Sequence, residues 1–376
     1  APPPKPSCAL LELDMRKTPS IFGTDDLRRA TDDTGLDNIR DLMIDRLHSA
    51  FDTYDPENIE VPVRSGFHYD SPQTGLIEWM PVMARGEHAL MKLVCYHPMN
   101  PAQSGLPTIL SNFALMDTAT GHMIAISDGT FLTAVRTGAA SAVATRALAA
   151  DSVGAVGMIG CGAQAITQLH AISRVIPIEL VLFWDVDPQA RRSFPARMSD
   201  WLPRNTRFVE TPIDLIVPNV DVLCTATSIA VGEGPLFDHG VTRDALHINA
   251  VGSDFPGKVE IPRALLEASV VIPDFANQAL AEGECQQLDS RAVGPELYEI
   301  LQGDGAERLR SARTVFDSTG WALEDLVAME ALVEWSEQLG LGSEIQLETI
   351  PPDPKNPYVF ADPADDTEVG RSHQQG

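Results

Sequence analysis

No stretch of the 376-residue chain approaches the roughly 18 uninterrupted apolar residues that a membrane-spanning helix needs, so no membrane partner is expected. Cysteine is sparse and scattered. Cys8, Cys95, Cys161, Cys224 and Cys285 form no CxxC pair and have no closely spaced histidine, which argues against a disulfide framework and against a bound metal. Positive charge is also short: 27 Lys and Arg stand against 53 Asp and Glu. The resulting net charge of −26 repels phosphate backbones, so nucleic acid is not an expected partner either. The opening residues, Ala1 to Lys5, lack the basic-then-apolar order of a secretory leader, which leaves the cytoplasm as the expected location. No internal repeat or low-complexity region is evident.

What the chain does have is enough apolar material, 44%, for a sizeable core, and a length that fits two domains better than one. Residues up to about 25 are Pro-rich and read as an arm, and the polar segment from Asp353 to Gly376 reads as an extended or disordered tail. Between them the pattern changes once and changes back. Ile39, Leu42, Met43, Leu47 and Phe51 recur at helical spacing, and strand-like runs follow near 75–82 and 90–96. From Val153 onward short buried strands (155–159, 180–184, 220–224, 246–250, 269–272, 314–316) alternate with helices, which predicts a parallel, doubly wound α/β sheet. An Ala- and Gly-rich helix over 136–149 links the two regions, and a final helix over 323–339 is expected to return to the first. The expected boundaries are a first domain over 1–135 completed by 320–355, a dinucleotide domain over 136–319, and a tail over 356–376.

The run 156–165, VGMIGCGAQA, ends an apolar strand in glycines. Gly160, Gly162 and Ala165 satisfy G-x-G-x-x-A between that strand and a helix whose Ile166, Leu169, Ile172 and Val175 form one face. The first Gly makes the tight turn, the second lets backbone approach a pyrophosphate, and the small third residue permits close helix–sheet packing. About 25 residues on, the second strand ends at Asp185, whose carboxylate suits ribose hydroxyls and repels a 2′-phosphate, so NAD is favoured over NADP. Arg191 and Arg192 follow a turn later and read as solvated helix residues.

With RTGAAS at 136–141, IGCGAQA at 159–165 and NAVGSDFPGK at 249–258, the chain resembles the ornithine cyclodeaminase/mu-crystallin family of nicotinamide-binding proteins. IEWMPV at 77–82, KLVCYHPMN at 92–100, WDVDP at 184–188 and VFDSTGWALED at 315–325 extend the resemblance over roughly 40–355. WDVDP and the 344–358 segment look most like the bacterial cyclodeaminase branch. The resemblance implies a homodimer whose protomer joins a Rossmann-type domain to an α+β substrate-binding and dimerisation domain.

An amino acid oxidised at Cα needs a clamp for its carboxylate, a proton-handling group near nitrogen, and a nicotinamide held against it. Arg136, at the start of the linking helix, is placed for the clamp, and Arg64 and Lys92 match basic positions the family uses around the same carboxylate. Lys92 is alternatively a proton carrier if burial lowers its pKa. The resemblance assigns proton handling to Asp254, just beyond the 246–250 strand, and substrate contact to Glu78 and Met80. Gly160, Gly162, Ala163, Gln164, Asp185, Thr225 to Ser228, Val251, Gly252 and Ser318 are expected to line the cofactor, and His97 reads as a structural loop histidine. The implied reaction is conversion of L-ornithine to L-proline and ammonia, with NAD oxidising Cα and restoring it. Two alternatives stay open: an imine reductase or amino-acid dehydrogenase with net turnover of NAD(P)H, acting on a cyclic imine or an amino acid, and a mu-crystallin-like binder without turnover. Phe255 and Thr319 depart from the small Cys and apolar Val of ornithine cyclodeaminases, which bears on side-chain preference.

Overall fold

The computed structural model describes residues 18–351 and 353–358, arranged around two β-sheets. The first sheet contains β1 (Ser20–Phe22), β2 (Ile59–Glu60), β3 (Ser65–Tyr69), β4 (Gly75–Ala84), β5 (His88–Tyr96), β6 (Ile109–Asp117), β7 (Met123–Asp128) and the late β15 (Ser343–Glu344). The second contains β8 (Ala155–Ile159), β9 (Leu180–Trp184), β10 (Arg207–Glu210), β11 (Val222–Thr225), β12 (His247–Ala250), β13 (Val270–Pro273) and β14 (Thr314–Asp317).

Every pairing in the second sheet is parallel, in the order β10-β9-β8-β11-β12-β14-β13. The order reverses beside β8, which places the glycine turn at the switch point where such sheets open a crevice beyond their strand ends. This is the doubly wound α/β fold expected from the alternation, with each expected strand found within one or two residues of its place.

The first sheet is largely antiparallel and alternates strictly along β4, where Leu76, Glu78, Met80, Val82 and Ala84 are buried and the residues between them are not. Its inner face packs on the helices Thr130–Leu148 and Ala322–Leu339, and against these lies the helix Leu36–Asp52, whose Ile39, Met43, Leu47 and Phe51 are fully buried. Burial of this kind contributes about 1.5–3 kcal/mol per side chain. The last helix, Ala322–Leu339, returns to this layer and contacts β4 and β5, as expected.

Two expectations are corrected. The arm does not extend to residue 25: Ser20–Phe22 pairs with β7 and β15, and Thr24–Thr34 is helical. Phe22 supplies the reason, since its ring is 1% exposed and anchors the strand in the core. The linking helix begins at Thr130, six residues before Arg136, so Arg136 lies in its second turn rather than opening it. Thr130, Phe131 and Thr133 are weak helix formers, which hid the true start. The N-terminal arm before residue 18 and the tail beyond Tyr358 lie outside the described residues.

Candidate active site

The cavity at the meeting of the two sheets encloses about 90 Å³. Arg64, Glu78, Met80 and Lys92 reach it from the first sheet and the segment before β3, Arg136 from the linking helix, Gln164 from the first turn of the helix Ala163–Ser173, and Val251, Asp254, Ser318 and Thr319 from the segments after strands of the second. The late start of the linking helix matters here. Thr133, Arg136 and Thr137, spaced by three and four residues, present one face to the cavity.

At its floor two cations meet two carboxylates. Lys92 Nζ donates to both oxygens of Asp325, at 3.1 and 3.2 Å, and Arg136 donates from Nε to Asp325 at 2.8 Å and from Nη1 to Glu324 at 2.7 Å. All four side chains are at most 4% exposed. Burial pushes Lys92 down to about 7, opposed by Asp325 and reinforced by Arg136. Burial likewise pushes Glu324 up to about 8, opposed by Arg136. One Glu324 oxygen, Oε1, is buried without a hydrogen-bond partner.

Along the wall, Arg64 pairs through Nε with Glu282, donates from Nη2 to the Thr319 carbonyl at 2.7 Å, and approaches Glu78 at 3.6 Å. Glu78 also meets His68 at 2.8 Å. Glu282, paired with Arg64, is raised by burial to about 7, opposed by Arg64 and reinforced by the like-charged Glu78. Asp254 accepts from Lys258 Nζ at 3.0 Å through Oδ1, and Lys258 in turn lies over the Tyr96 ring. Phe255 does not line the cavity; its ring packs at 4.7 Å from that of His68. His97 bonds Tyr69 Oη at 2.7 Å and packs against Gly75, in keeping with a structural role.

Beyond the cavity the glycine turn has the shape a dinucleotide needs. Gly160 adopts φ +92°, and a Cβ there would lie 2.5 Å from the Ala226 carbonyl, so only glycine fits. At Gly162 a Cβ would meet nothing within 4 Å, and this residue caps the helix Ala163–Ser173, whose first backbone donors are open to an anion. Ala165 is fully buried, as close packing requires. Asp185 accepts from the Cys161 and Asp187 backbone amides at 2.6 and 2.8 Å. Gly252 and Thr227 both donate backbone amides to the buried Glu260, at 3.0 and 2.8 Å, tying together two loops at the crevice over the buried Thr225. Ser318 Oγ is buried and unpartnered beside them. Arg191 is not loosely solvated: it stacks 4.3 Å over Trp184 and pairs with Glu210 at 2.7 Å. These residues fit a bound nicotinamide dinucleotide. Among the described residues no cluster of His, Cys, Asp and Glu is arranged to hold a metal, and Cys95, Cys161, Cys224 and Cys285 are free.

The model of the ornithine cyclodeaminase/mu-crystallin family matches residues 26–338. The chain belongs to this family. An L-lysine cyclodeaminase from Streptomyces rapamycinicus is 38% identical over 344 residues, covering 89% of this chain and 97% of that one. A solved lysine cyclodeaminase, described for its recognition of L-lysine, L-ornithine and L-2,4-diaminobutyric acid, is 41% identical with a TM-score of 0.87 and covers 91% of this chain and 99% of its own. An archaeal alanine dehydrogenase dimer with bound NAD is 29% identical with a TM-score of 0.77, covering 88% and 99%.

Within this family member the residues singled out from sequence converge: Arg64, Glu78, Met80, Lys92, Arg136 and Asp254 share one cavity, with Gln164, Val251 and Ser318 on its dinucleotide side. Sequence reasoning missed the partners. Asp325, Glu324, Lys258, Glu282 and His68 carry no role in the sequence reading, although Glu324 and Asp325 lie inside the quoted WALED segment and Lys258 ends the NAVGSDFPGK one. A buried charge requires a counter-charge, but which acidic residue supplies it depends on contacts across as many as 233 positions.

Proposed function

We propose that the protein is an NAD-dependent cyclodeaminase of L-α,ω-diamino acids, converting L-lysine to L-pipecolate and ammonia and accepting L-ornithine, with L-proline as product. The observation that carries this reading is the meeting of three cations, Arg64, Lys92 and Arg136, with two carboxylates, Glu78 and Asp254, in a single cavity beside the glycine turn. Ornithine was the expectation from motifs; the 38% identity to a lysine cyclodeaminase moves lysine to first place.

NAD, held by Gly160, Gly162, Ala163, Gln164, Asp185, Thr225, Val251, Gly252 and Ser318, supplies when bound a reversible oxidation at the substrate Cα. Lys92 Nζ and the Arg136 Nη2 donor left free by Asp325 and Glu324 bind the α-carboxylate, with Arg64 completing the clamp. Glu78 meets the cationic ω-ammonium, and Met80 supplies apolar wall. Asp254, with one oxygen held by Lys258, uses the other to take a proton from the α-nitrogen and to return one as that nitrogen departs. The ω-ammonium gives up a proton, its nitrogen forms a bond to Cα and the bond from Cα to the α-nitrogen breaks, so ammonia leaves carrying the released proton and a cyclic imino acid remains. The test is to incubate the purified protein and NAD with L-lysine, L-ornithine, L-2,4-diaminobutyrate and L-alanine and to follow ammonia and product by mass spectrometry. Cyclic product from lysine and ornithine supports the reading; alanine turnover with accumulating NADH and no cyclic product replaces it with a dehydrogenase.

The same reading includes a homodimer. On the outer face of the first sheet, Phe67, Ile77, Trp79, Pro81, Met91 and Leu93 sit side by side, with Phe67 64% and Leu93 42% exposed. A contiguous apolar sheet face of this kind calls for a covering partner, and a second copy fits because the related alanine dehydrogenase is a dimer. Leu93→Asp is expected to shift the protein from dimer to monomer in light scattering; an unchanged mass would place the interface elsewhere.

A further inference from the structure

Lys92 and Arg136 come from different elements, β5 and the linking helix, yet both are directed onto one carboxylate carried by a third, the first turn of the helix Ala322–Leu339. We infer that Asp325 is the positioning residue of the carboxylate clamp: it sets the relative placement of Lys92 and Arg136 and holds the Lys92 proton in place. It does this without touching substrate, and the inference rests on the clamp proposed above.

Two like charges in a dry cavity repel each other, and each loses hydration on burial. A carboxylate between them removes both penalties only if it is shared. Asp325 is shared in this way: Oδ1 accepts from both Lys92 and Arg136, while Oδ2 accepts from Lys92 alone. Glu324, its neighbour, bonds only Arg136 and keeps one oxygen unpartnered, so it cannot take over the Lys92 contact from its present place. The division of donors follows. Arg136 gives Nε and Nη1 to the protein and keeps Nη2, which packs against Gly320 on the cavity wall. A side chain at Gly320 would lie 2.9 Å from that nitrogen, and φ +90° holds the position to glycine as well.

The charged groups that act on Lys92 are Asp325 from the last helix, Arg136 from the linking helix and Arg64 from the segment before β3, with Glu78 on β4 and Asp254 beyond β12 also on the cavity wall. Asp325 is the one of the first three that favours the charged amine. With Lys92 at about 7, the ammonium is present below that pH and lost above it, so the KM for a diamino acid rises as the pH passes upward through about 7. Removing the Asp325 charge moves this loss to lower pH.

The chain contains five lysines, Lys5, Lys17, Lys92, Lys258 and Lys355, so labelling lysine Cε with carbon-13 gives few signals, and Lys92→Gln assigns the one of interest. Asp325→Asn is expected to lower the Lys92 titration below its parental position and to raise KM roughly 10–100-fold, the range for losing a charge-assisted hydrogen bond, while kcat changes far less. NADH binding, followed by its fluorescence, stays parental because the dinucleotide turn lies on the other sheet. Asp325→Glu keeps the charge but moves it by one methylene; it is expected to leave the titration near its parental position and still raise KM, and it carries the test if the Asn variant does not fold. An unmoved Lys92 titration in Asp325→Asn, or unchanged KM values in both variants, would overturn the inference. A parent that binds no diamino acid would instead sink the functional reading, and the Lys92 titration would still decide whether Asp325 holds its proton.

Discussion

Asp254→Asn is expected to lower kcat by roughly 10²–10⁴, the contribution of a positioned general acid–base, while the KM for the diamino acid and the affinity for NADH stay close to parental. Asparagine keeps the size of the side chain and can still face Lys258, which is 4% exposed and pairs with Asp254 at 3.0 Å. It cannot carry a proton. The loss therefore falls on the chemical step, and steady-state kinetics beside fluorescence titration of NADH separates it from a binding defect. A variant with parental kcat would remove Asp254 from proton transfer.

Arg136→Met is expected to act on binding and stability together. The guanidinium makes two charge-assisted bonds at the cavity floor, and the proposed clamp uses Nη2 as a third donor to the substrate, so KM should rise about tenfold to a hundredfold, at roughly 1.5–3 kcal/mol for such a bond. Stability falls too, because Asp325 and Glu324 lose their common partner. Leaving a buried ion wholly unpaired costs about 3–5 kcal/mol, but Asp325 keeps Lys92, and Glu324, raised by burial to about 8, already carries a proton at neutral pH, so the loss stays below that range. Denaturant melts and KM measured on the same preparation test both halves; an unchanged KM would exclude Arg136 from the clamp.

Six strands of the second sheet were legible in the sequence because each is a short, largely buried apolar run bounded by turn residues, a pattern that reads without knowledge of neighbours; the edge strand β10, Arg207–Glu210, was missed because its residues are mostly exposed and show no apolar run. The helix 36–52 was legible for the related reason that one face of it is apolar at helical spacing. The strand at Ser20–Phe22 was not, since three residues have no period and its place is decided by β7 and β15, more than 100 and 300 positions away. The site divides in the same way. Lys92, Arg136 and Asp254 stand in recognisable motifs, whereas the pairing of Arg64 with Glu282 comes from the approach of segments 218 positions apart, and that of His68 with Glu78 from the register of β3 on β4. Phe255 stood out in sequence as a departure at the substrate wall, yet the structure sets it against His68, one layer behind Glu78. Its influence on substrate choice would therefore pass through His68.

The reaction proposed here consumes no net nicotinamide, and this separates a cyclodeaminase from a dehydrogenase or reductase built on the same cavity. The most direct measurement is product formed per NAD: the protein is incubated with excess L-lysine and NAD well below the enzyme's substrate concentration, and pipecolate, ammonia and NADH absorbance are followed together. Many equivalents of pipecolate and ammonia per NAD, in equal amounts and without accumulating NADH, are the predicted result. Product that stops at one equivalent per NAD, with NADH accumulating in step, would contradict it.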